Sequence, residues 1–319
     1  MTYFDVFNGD ADGLCALHQL RLAEPLNSTL ITGVKRDIAL LQRVQANKGD
    51  VITVLDVSLD KNRAALRQNL ELGATIRYFD HHFAGDIPRH EHLEAFINTH
   101  ADVCTSLLVN DYLQGAYVAW AVVAAFGDNL YEAARAAATP LNLSAEQLQQ
   151  LEHLGTLLNY NGYGESLDDL YFHPQELYLT LKPFSNPFDF IAQTAAFQVL
   201  SQGFASDIEK AKALDIQSNN ADTAVIMLPQ EAWSRRVSGV YANDLARQYP
   251  HRAHAMISHI ENGHYRISVR APLQRKEGAD ILCMQFPTGG GRKAAAGIND
   301  LPPHLLEDFI QAFQQQYSQ

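Results

Sequence analysis

The first eighty residues alternate between short apolar runs and segments in which apolar residues recur at helical spacing. The apolar runs predict strands over residues 2–7, 28–34, 50–58 and 74–79. The intervening segments predict helices, and in the first of them Leu14, Leu17 and Leu20 share one face. This alternation predicts a parallel sheet with right-handed crossovers, in which the carboxyl ends of the strands lie along one edge.

Acidic residues follow three of these predicted strands. Asp10 and Asp12 lie in the glycine-containing turn after the first strand. Asp56 interrupts the apolar run of the third strand, and Asp80 ends the fourth. Because a buried carboxylate is costly unless it is paired or bound to a metal, their convergence at one sheet edge predicts a metal site. The alternative, N-capping of the first helix by Asp12, leaves Asp10 without a role.

Two histidines, His81 and His82, follow Asp80 directly. A carboxylate beside two imidazoles offers suitable ligands for a divalent cation. Asp128 follows an apolar helix predicted over residues 117–126. The local pattern leaves two roles open for Asp128, that of a further polar group of the site and that of N-cap to the next helix.

The turn after the second predicted strand carries Lys35, Arg36 and Asp37. We interpret the two basic residues as part of a solvated turn, with a contact to phosphate as the alternative. Asp37 is expected to cap a helix that contains Leu40 and Leu41.

A second strand and helix pattern begins at residue 222, so we predict a first domain over 1–190, a helical linker over 191–221 and a second domain over 222–319. The second domain contains a glycine-rich segment, Gly289-Gly290-Gly291-Arg292-Lys293. Successive glycines let a backbone approach a ligand closely, and adjacent arginine and lysine suit a phosphate or a carboxylate. A flexible surface loop is the alternative interpretation.

Composition narrows the choice of partners. Hydrophobic residues make up 47% of the 319 residues, which is typical of a folded globular protein, and the net charge is −12. An acidic surface argues against binding of long duplex nucleic acid, which requires many contacts from Lys and Arg to phosphates. Three separated cysteines and an N-terminus without a signal peptide lead us to expect a cytoplasmic protein that does not enter a membrane.

Taken in order, these motifs resemble those of the DHH family of phosphoesterases with its DHH-associated C-terminal domain. The resemblance extends over nearly the whole chain and rests on five segments, namely Asp10 to Gly13, Asp56, Asp80-His81-His82, Gly127-Asp128 and Gly289 to Gly297. It implies an α/β fold in which an N-terminal parallel-sheet domain is joined to a smaller α/β domain. It also implies an active site in the cleft between them.

The resemblance further implies a pair of Mn²⁺ ions, with Mg²⁺ as an alternative, and a set of five ligands, Asp10, Asp12, Asp56, His81 and Asp128. Asp56 would bridge the ions, while Asp80 and His82 would orient the site and contact the substrate phosphate. The far end of the substrate would be held by Gly289, Gly290, Gly291, Arg292 and Lys293, with Arg270 as a further contact.

Two positions depart from the family's usual pattern. Asn8 lies near the place where a histidine usually precedes the first acidic pair, so this ligand would be a neutral and weaker carbonyl oxygen. Arg292 lies where the family usually has histidine, which leaves anion binding intact.

The leading hypothesis is a metal-dependent phosphodiesterase that hydrolyses short oligonucleotides to mononucleotides through two-metal activation of water. Cyclic dinucleotides and nucleoside bisphosphates are the alternative substrates. A nucleotide-binding module with an impaired metal site is the alternative without catalysis. A homodimer is compatible with the sequence.

Overall fold

The computed structural model describes residues 1–219, 221–260 and 262–318, and the chain divides into two compact units, 1–202 and 203–319. The division falls within a helix of the segment that we predicted to link two domains. Asn220, in that predicted linker, and Glu261 and Gln319, in the predicted second domain, lie outside the described residues.

The N-terminal unit is built on a five-stranded sheet in which every pair of neighbours is parallel, as the alternation predicts. Its strands are β1 (Tyr3–Phe7), β2 (Thr29–Ile31), β3 (Val51–Leu55), β4 (Thr75–Asp80) and β5 (Leu93–Ile97). In the spatial order β2-β1-β3-β4-β5, the chain adds β2 on one side of β1 and then β3 on the other side. The topological switch point of the sheet therefore lies between β1 and β3. Open α/β sheets bind their ligands beyond the carboxyl ends of the strands at such a point.

Helices surround this sheet. They are α1 (Ala11–Ala23), α2 (Leu59–Glu71), α3 (Thr105–Tyr112), α4 (Val118–Gly127), α5 (Tyr131–Ala138), α6 (Ala145–Gly162), α7 (Pro174–Leu181), α8 (Pro187–Gln193) and α9 (Ala195–Lys212), the last of which crosses the division between the units. Two glycines allow α4 and α6 to cross closely, since a Cβ on Gly155 would lie 2.1 Å from the Val123 carbonyl oxygen and one on Gly127 would lie 2.9 Å from the Gly155 carbonyl oxygen. This crossing fixes the carboxyl end of α4, where Asp128 follows.

The segment after β2 differs from the prediction. The strand ends at Ile31, and residues Leu40–Arg43 form a short 3₁₀ helix without a side-chain cap. Asp37 instead forms an ion pair with Arg43. The predicted capped α-helix is therefore wrong, because the carboxylate of Asp37 is used by a guanidinium rather than by backbone amides.

The C-terminal unit contains a mixed six-stranded sheet in the order β10-β11-β9-β8-β7-β6. Its strands are β6 (Ile216–Asn219), β7 (Thr223–Leu228), β8 (Ala253–His259), β9 (Tyr265–Arg270), β10 (Gly289–Arg292) and β11 (Ala295–Leu301). Its further helices are α10 (Ala232–Gln248), α11 (Ala279–Cys283) and α12 (Leu306–Tyr317). Phe309 and Phe313 of α12 pack with Val269 of β9 in one apolar core.

This α/β architecture, with a parallel-sheet unit and a smaller mixed-sheet unit, confirms the predicted fold class. The predicted position of the active site between the units stays a prediction. No helix in the described ranges is both long and apolar enough to cross a membrane.

Candidate metal centre

The turn after β1 is held by Asp10. Its Oδ1 atom accepts hydrogen bonds from the backbone N–H groups of Asp12 at 3.0 Å and Gly13 at 3.1 Å, so Asp10 is the N-cap of α1. The alternative in which Asp12 caps this helix is therefore wrong. Gly13 is required here because a Cβ would lie 2.2 Å from the carbonyl oxygen of Asn8.

Asp12 is buried, and its carboxylate meets the beginning of α3. Its two oxygens accept hydrogen bonds from the backbone N–H groups of Thr105 and Ser106, both at 2.7 Å. These backbone amides have no acceptor within the helix, and together with the positive end of the helix dipole they stabilise the negative charge of Asp12. Since each carboxylate oxygen has two lone pairs, one on each oxygen remains for a cation.

Asp56 follows β3 directly and adopts a left-handed backbone conformation, with φ of +60°. A residue other than glycine in this region stores strain, and such outliers occur frequently at functional sites. The backbone N–H of Asp56 donates to the Phe79 carbonyl at 3.0 Å, and the Thr105 hydroxyl donates to Asp56 Oδ1 at 3.2 Å. Burial, and then the negative charges of Asp12 and Asp10, raise the pKa of Asp56 well above its usual value.

His81 follows β4, and its ring is oriented by a hydrogen bond. Nδ1 lies 2.9 Å from the carbonyl oxygen of Val103, and because a carbonyl only accepts, Nδ1 carries the proton. In the neutral ring the lone pair of Nε2 then faces three carboxylates, whose oxygens lie 3.5 Å (Asp56), 3.6 Å (Asp128) and 4.0 Å (Asp12) away.

These distances fit a shared cation. Ligands at 2.0–2.2 Å from an ion are separated from one another by about 3 to 3.5 Å. The potential ligand atoms of Asp12, His81 and Asp128 all lie within 4.8 Å of one another, as do those of Asp56, His81 and His82. The hydrogen bond from Nδ1 to a carbonyl is the usual outer support of a metal-binding histidine. The residues therefore fit a divalent cation.

Asp80 and His82 form a pair beside this group. His82 Nδ1 donates to Asp80 Oδ1 at 2.7 Å, and the other oxygen of Asp80 is buried without a hydrogen-bond partner among the described residues. Burial alone would lower the pKa of His82, but the hydrogen bond to Asp80 and its charge outweigh burial and raise that pKa. The ring of His82 is thus fixed in orientation and biased towards its cationic form.

Asp128 ends α4 as its C-cap, whereas the N-cap position of α5 is occupied by Leu130, so the capping alternative for Asp128 is wrong. One oxygen of Asp128 faces His81, and the other accepts a hydrogen bond from Lys35 Nζ at 3.3 Å. Burial raises the pKa of Asp128, and the charge of Lys35 offsets this only in part.

Lys35 is the residue that the sequence least prepared us to find here. Its ammonium contacts the carboxylate of Asp10, Asp128 and the Asn159 side-chain oxygen, the last at 2.9 Å. The solvated-turn interpretation of Lys35 is therefore wrong. The sequence shows only a basic residue shortly after a strand of the same sheet as the acids, a pattern that does not distinguish an inward-facing lysine from a solvated one. Asn159 lies near the C-terminal end of α6.

Asn8 is buried, and its side chain is occupied by the backbone. Oδ1 accepts from the N–H of Asp10, and Nδ2 donates to the Lys35 carbonyl, both at 3.2 Å. It lies beside the expected metal ligands, and its role as a ligand stays a prediction. Its observed contacts join the first turn of the site to the loop that carries Lys35.

The glycine-rich segment lies in the C-terminal unit and forms an edge strand, β10, rather than a loop. A Cβ on Gly289 would lie 1.8 Å from the Cys283 carbonyl oxygen, and one on Gly291 would lie 2.5 Å from Ala296 Cα. These two glycines are thus required by packing within the unit. Of these three glycines, Gly290 is the one with open space at the Cβ position, and Arg292 and Lys293 are exposed.

Two of the predicted anion contacts share a face of the second sheet. Arg292 pairs with Ala295, and Ala295 pairs with Arg270, so both guanidinium side chains start on the same face, two strands apart. Arg270 donates to the Asn243 side-chain oxygen at 2.7 Å, which orients its guanidinium. Anion binding by this segment stays a prediction.

The fold of the chain, a parallel-sheet unit followed by a mixed-sheet unit, is shared with solved proteins of the DHH family. Its structure is similar to that of the pGpG-specific phosphodiesterase PggH from Vibrio cholerae, with a TM-score of 0.59 and 14% identity over 99% of this chain and 98% of that one. It is also similar to RecJ from Thermus thermophilus, solved in complex with Mn²⁺, with a TM-score of 0.64 and 17% identity.

That second match covers 98% of this chain but 51% of RecJ, so the chain corresponds to about half of that protein. An exopolyphosphatase-related protein from Bacteroides fragilis matches with a TM-score of 0.51 and 13% identity, over 99% of this chain and 91% of that one. No family model and no curated protein matches the sequence. The resemblance inferred from the motifs is thus confirmed in the fold.

Proposed function

We propose that the chain is a metal-dependent phosphodiesterase that hydrolyses short oligonucleotides to mononucleotides. The observation that carries this proposal is the convergence of His81 Nε2 with the carboxylates of Asp12, Asp56 and Asp128. These residues come from four different parts of the chain. Carboxylates buried this close together repel one another, and a divalent cation bound among them would relieve that repulsion.

A divalent cation bound there would act as a Lewis acid towards a phosphoryl oxygen and would lower the pKa of a water molecule. The protein contributes orientation. Asp80 fixes the ring of His82, and the side chain of His82 is 39% exposed, so its Nε2 is available to a phosphate oxygen or to a leaving oxygen that requires a proton. Thr105 and Ser106 fix the carboxylate of Asp12.

Two observations support a short substrate. The net charge of −12 disfavours a long polyanion, while a short ligand requires only a few local basic groups such as Arg270 and Arg292. The fold is shared with a phosphodiesterase specific for pGpG, which is itself a two-residue oligonucleotide. We expect Mn²⁺ to support the reaction, with Mg²⁺ as the alternative.

The test is the release of mononucleotide from 5′-labelled RNAs of two to five residues with added Mn²⁺, for the native chain and for Asp56→Asn. Asparagine tolerates the left-handed backbone at position 56 and removes the charge, so the fold is kept while a ligand is lost. We expect turnover in the native chain and a loss of at least about 100-fold in the variant, the scale of losing a first ligand or its support.

Asp86→Asn is the matched control, since this exposed aspartate lies in the loop after β4 and belongs to neither group of potential ligands. Turnover equal in Asp56→Asn and in the native chain would refute the proposed site. Hydrolysis of cyclic dinucleotides or nucleoside bisphosphates alone would change the substrate and keep the site. Binding of these nucleotides without any hydrolysis would favour a binding module.

A further inference from the structure

The metal centre already contains one cation, the ammonium group of Lys35. It is placed between two carboxylates, those of Asp10 and Asp128, and its third acceptor is the Asn159 side-chain oxygen. An ammonium group has three donors, so each N–H has an oxygen partner. A positive charge among three oxygen ligands is the arrangement that a metal ion would otherwise have at this position.

Two hydrogen bonds fix the backbone of Lys35. Its backbone N–H donates to the Gly162 carbonyl at 2.8 Å, at the end of α6, and its carbonyl accepts from Asn8 Nδ2 at 3.2 Å. The side chain is also covered, with 25% of its surface exposed. Lys35 is therefore an integral residue of the centre, with both its backbone and its side chain fixed by hydrogen bonds.

Asp128 separates the centre into two cation positions. Its Oδ1 faces Lys35, while its Oδ2 faces His81 Nε2 at 3.6 Å. On the Lys35 side, both oxygens of Asp10 are engaged, one by the N-cap bonds and one by the ammonium. On the His81 side, the carboxylate oxygens of Asp12 and Asp56 lie 4.0 Å and 3.5 Å from His81 Nε2, and no lysine ammonium contacts either carboxylate among the described residues.

We propose that Lys35 takes the place of one of the two metal ions, so that the centre binds a single divalent cation on the side of Asp12, Asp56, His81 and Asp128. The inference rests on the proposed metal-dependent function and specifies its cofactor count. A second divalent ion at Asp10 would have to displace the ammonium group and would be repelled by it at this distance. The fixed ammonium would supply the second positive charge near a substrate phosphate.

The experiment measures bound Mn²⁺ per chain by equilibrium dialysis with elemental analysis, and the electron paramagnetic resonance of the bound ions. It compares the full chain with Lys35→Met, which keeps the length of the side chain and removes the charge, and with Lys35→Arg, which keeps the charge. Lys48→Met is the matched control on an exposed lysine of the same unit. Thermal unfolding of each variant checks that it is folded.

We expect one Mn²⁺ with an uncoupled signal in the native chain, Lys35→Arg and Lys48→Met, and two exchange-coupled ions in Lys35→Met. Two ions in the native chain, or one in both the native chain and Lys35→Met, would overturn the inference. His81→Gln provides a check that does not depend on position 35. If the centre binds a single ion, the native chain should bind one Mn²⁺ and His81→Gln none. Two ions in the native chain and one in His81→Gln would refute the inference.

The hydrolysis assay separates this inference from the proposed function. One bound ion without turnover on any of the tested nucleotides would refute the phosphodiesterase and leave the count intact. Two bound ions with turnover would refute the count and leave the phosphodiesterase intact.

Discussion

His18 provides a quantitative prediction about stability, because it is buried as a neutral ring in α1. It is 1% exposed, its Nε2 donates to the Phe184 carbonyl at 2.7 Å, and its ring meets Trp120 edge-on at 4.7 Å between centroids. Burial lowers the pKa of His18 to about 4. In the unfolded chain the pKa of a histidine is about 6.5.

The direction of the effect follows from these two values. Below a pH of about 6.5 the unfolded chain takes up a proton on His18, whereas the folded chain takes it up only near pH 4. Protonation therefore favours the unfolded state, and stability falls as the pH decreases through this window. A difference of about 2.5 pKa units corresponds to about 3.4 kcal/mol in full, of which about 2 kcal/mol is lost between pH 7.5 and pH 5.

The assay is urea unfolding at these two pH values for the native residue and for His18→Gln, whose amide is neutral at both and can donate to the same carbonyl. The chain has two tryptophans, and Trp233→Phe leaves Trp120 as the reporter of the N-terminal unit. All other titrating groups are common to both proteins and cancel in the difference. An equal loss of stability on acidification in the two proteins would refute the argument.

Three further predictions concern the N-terminal unit. Asp56→Asn should raise the melting temperature of the metal-free chain, because it removes one of several crowded buried charges. In differential scanning fluorimetry, added Mn²⁺ should raise the melting temperature of the native chain and leave that of Asp56→Asn unchanged. A lower melting temperature of the metal-free variant would contradict this prediction. Arg21→Met should lower the free energy of unfolding in urea by about 3–5 kcal/mol, because the buried carboxylate of Asp5 loses its ion pair at 2.5 Å. The double variant with Asp5→Leu should recover most of this loss. No recovery would show that the Arg21 guanidinium stabilises the fold through its packing. Gly127→Ala should lower the free energy of unfolding by about 1–3 kcal/mol in the same assay, since its Cβ would lie 2.4 Å from that of Ala11. An unchanged free energy of unfolding would mean that α1 and α4 can move apart without loss of stability.

The sequence was sufficient to predict the strands and the acids at their ends. Apolar runs identified β1, β3 and β4, and parallel connection then required Asp10, Asp56 and Asp80 to lie at one edge of the sheet. The structure brings these residues together with His81 and Asp128. Their assignment as ligands, and the anion-binding role of the glycine-rich segment, stay predictions.

The sequence could not predict Lys35, because its partners are distant along the chain. Asn159 is separated from it by 124 positions, and Asp128 by 93. A basic residue after a strand is usually solvated, and nothing local indicates that this one faces inward. Gly289 shows the same limit, since its flexibility was evident but the contact that requires it, with the Cys283 carbonyl oxygen, was not.

The left-handed backbone of Asp56 restricts how this site can change over evolution. At φ of +60°, glycine fits without strain, and aspartate and asparagine fit with less strain than most other residues, because a longer or branched side chain crowds its own backbone. Glutamate would keep the charge but would add strain and extend the carboxylate by a methylene group. Lineages that modify this centre are thus expected to keep Asp56 while other positions vary, or to pass through asparagine on the way to losing the metal.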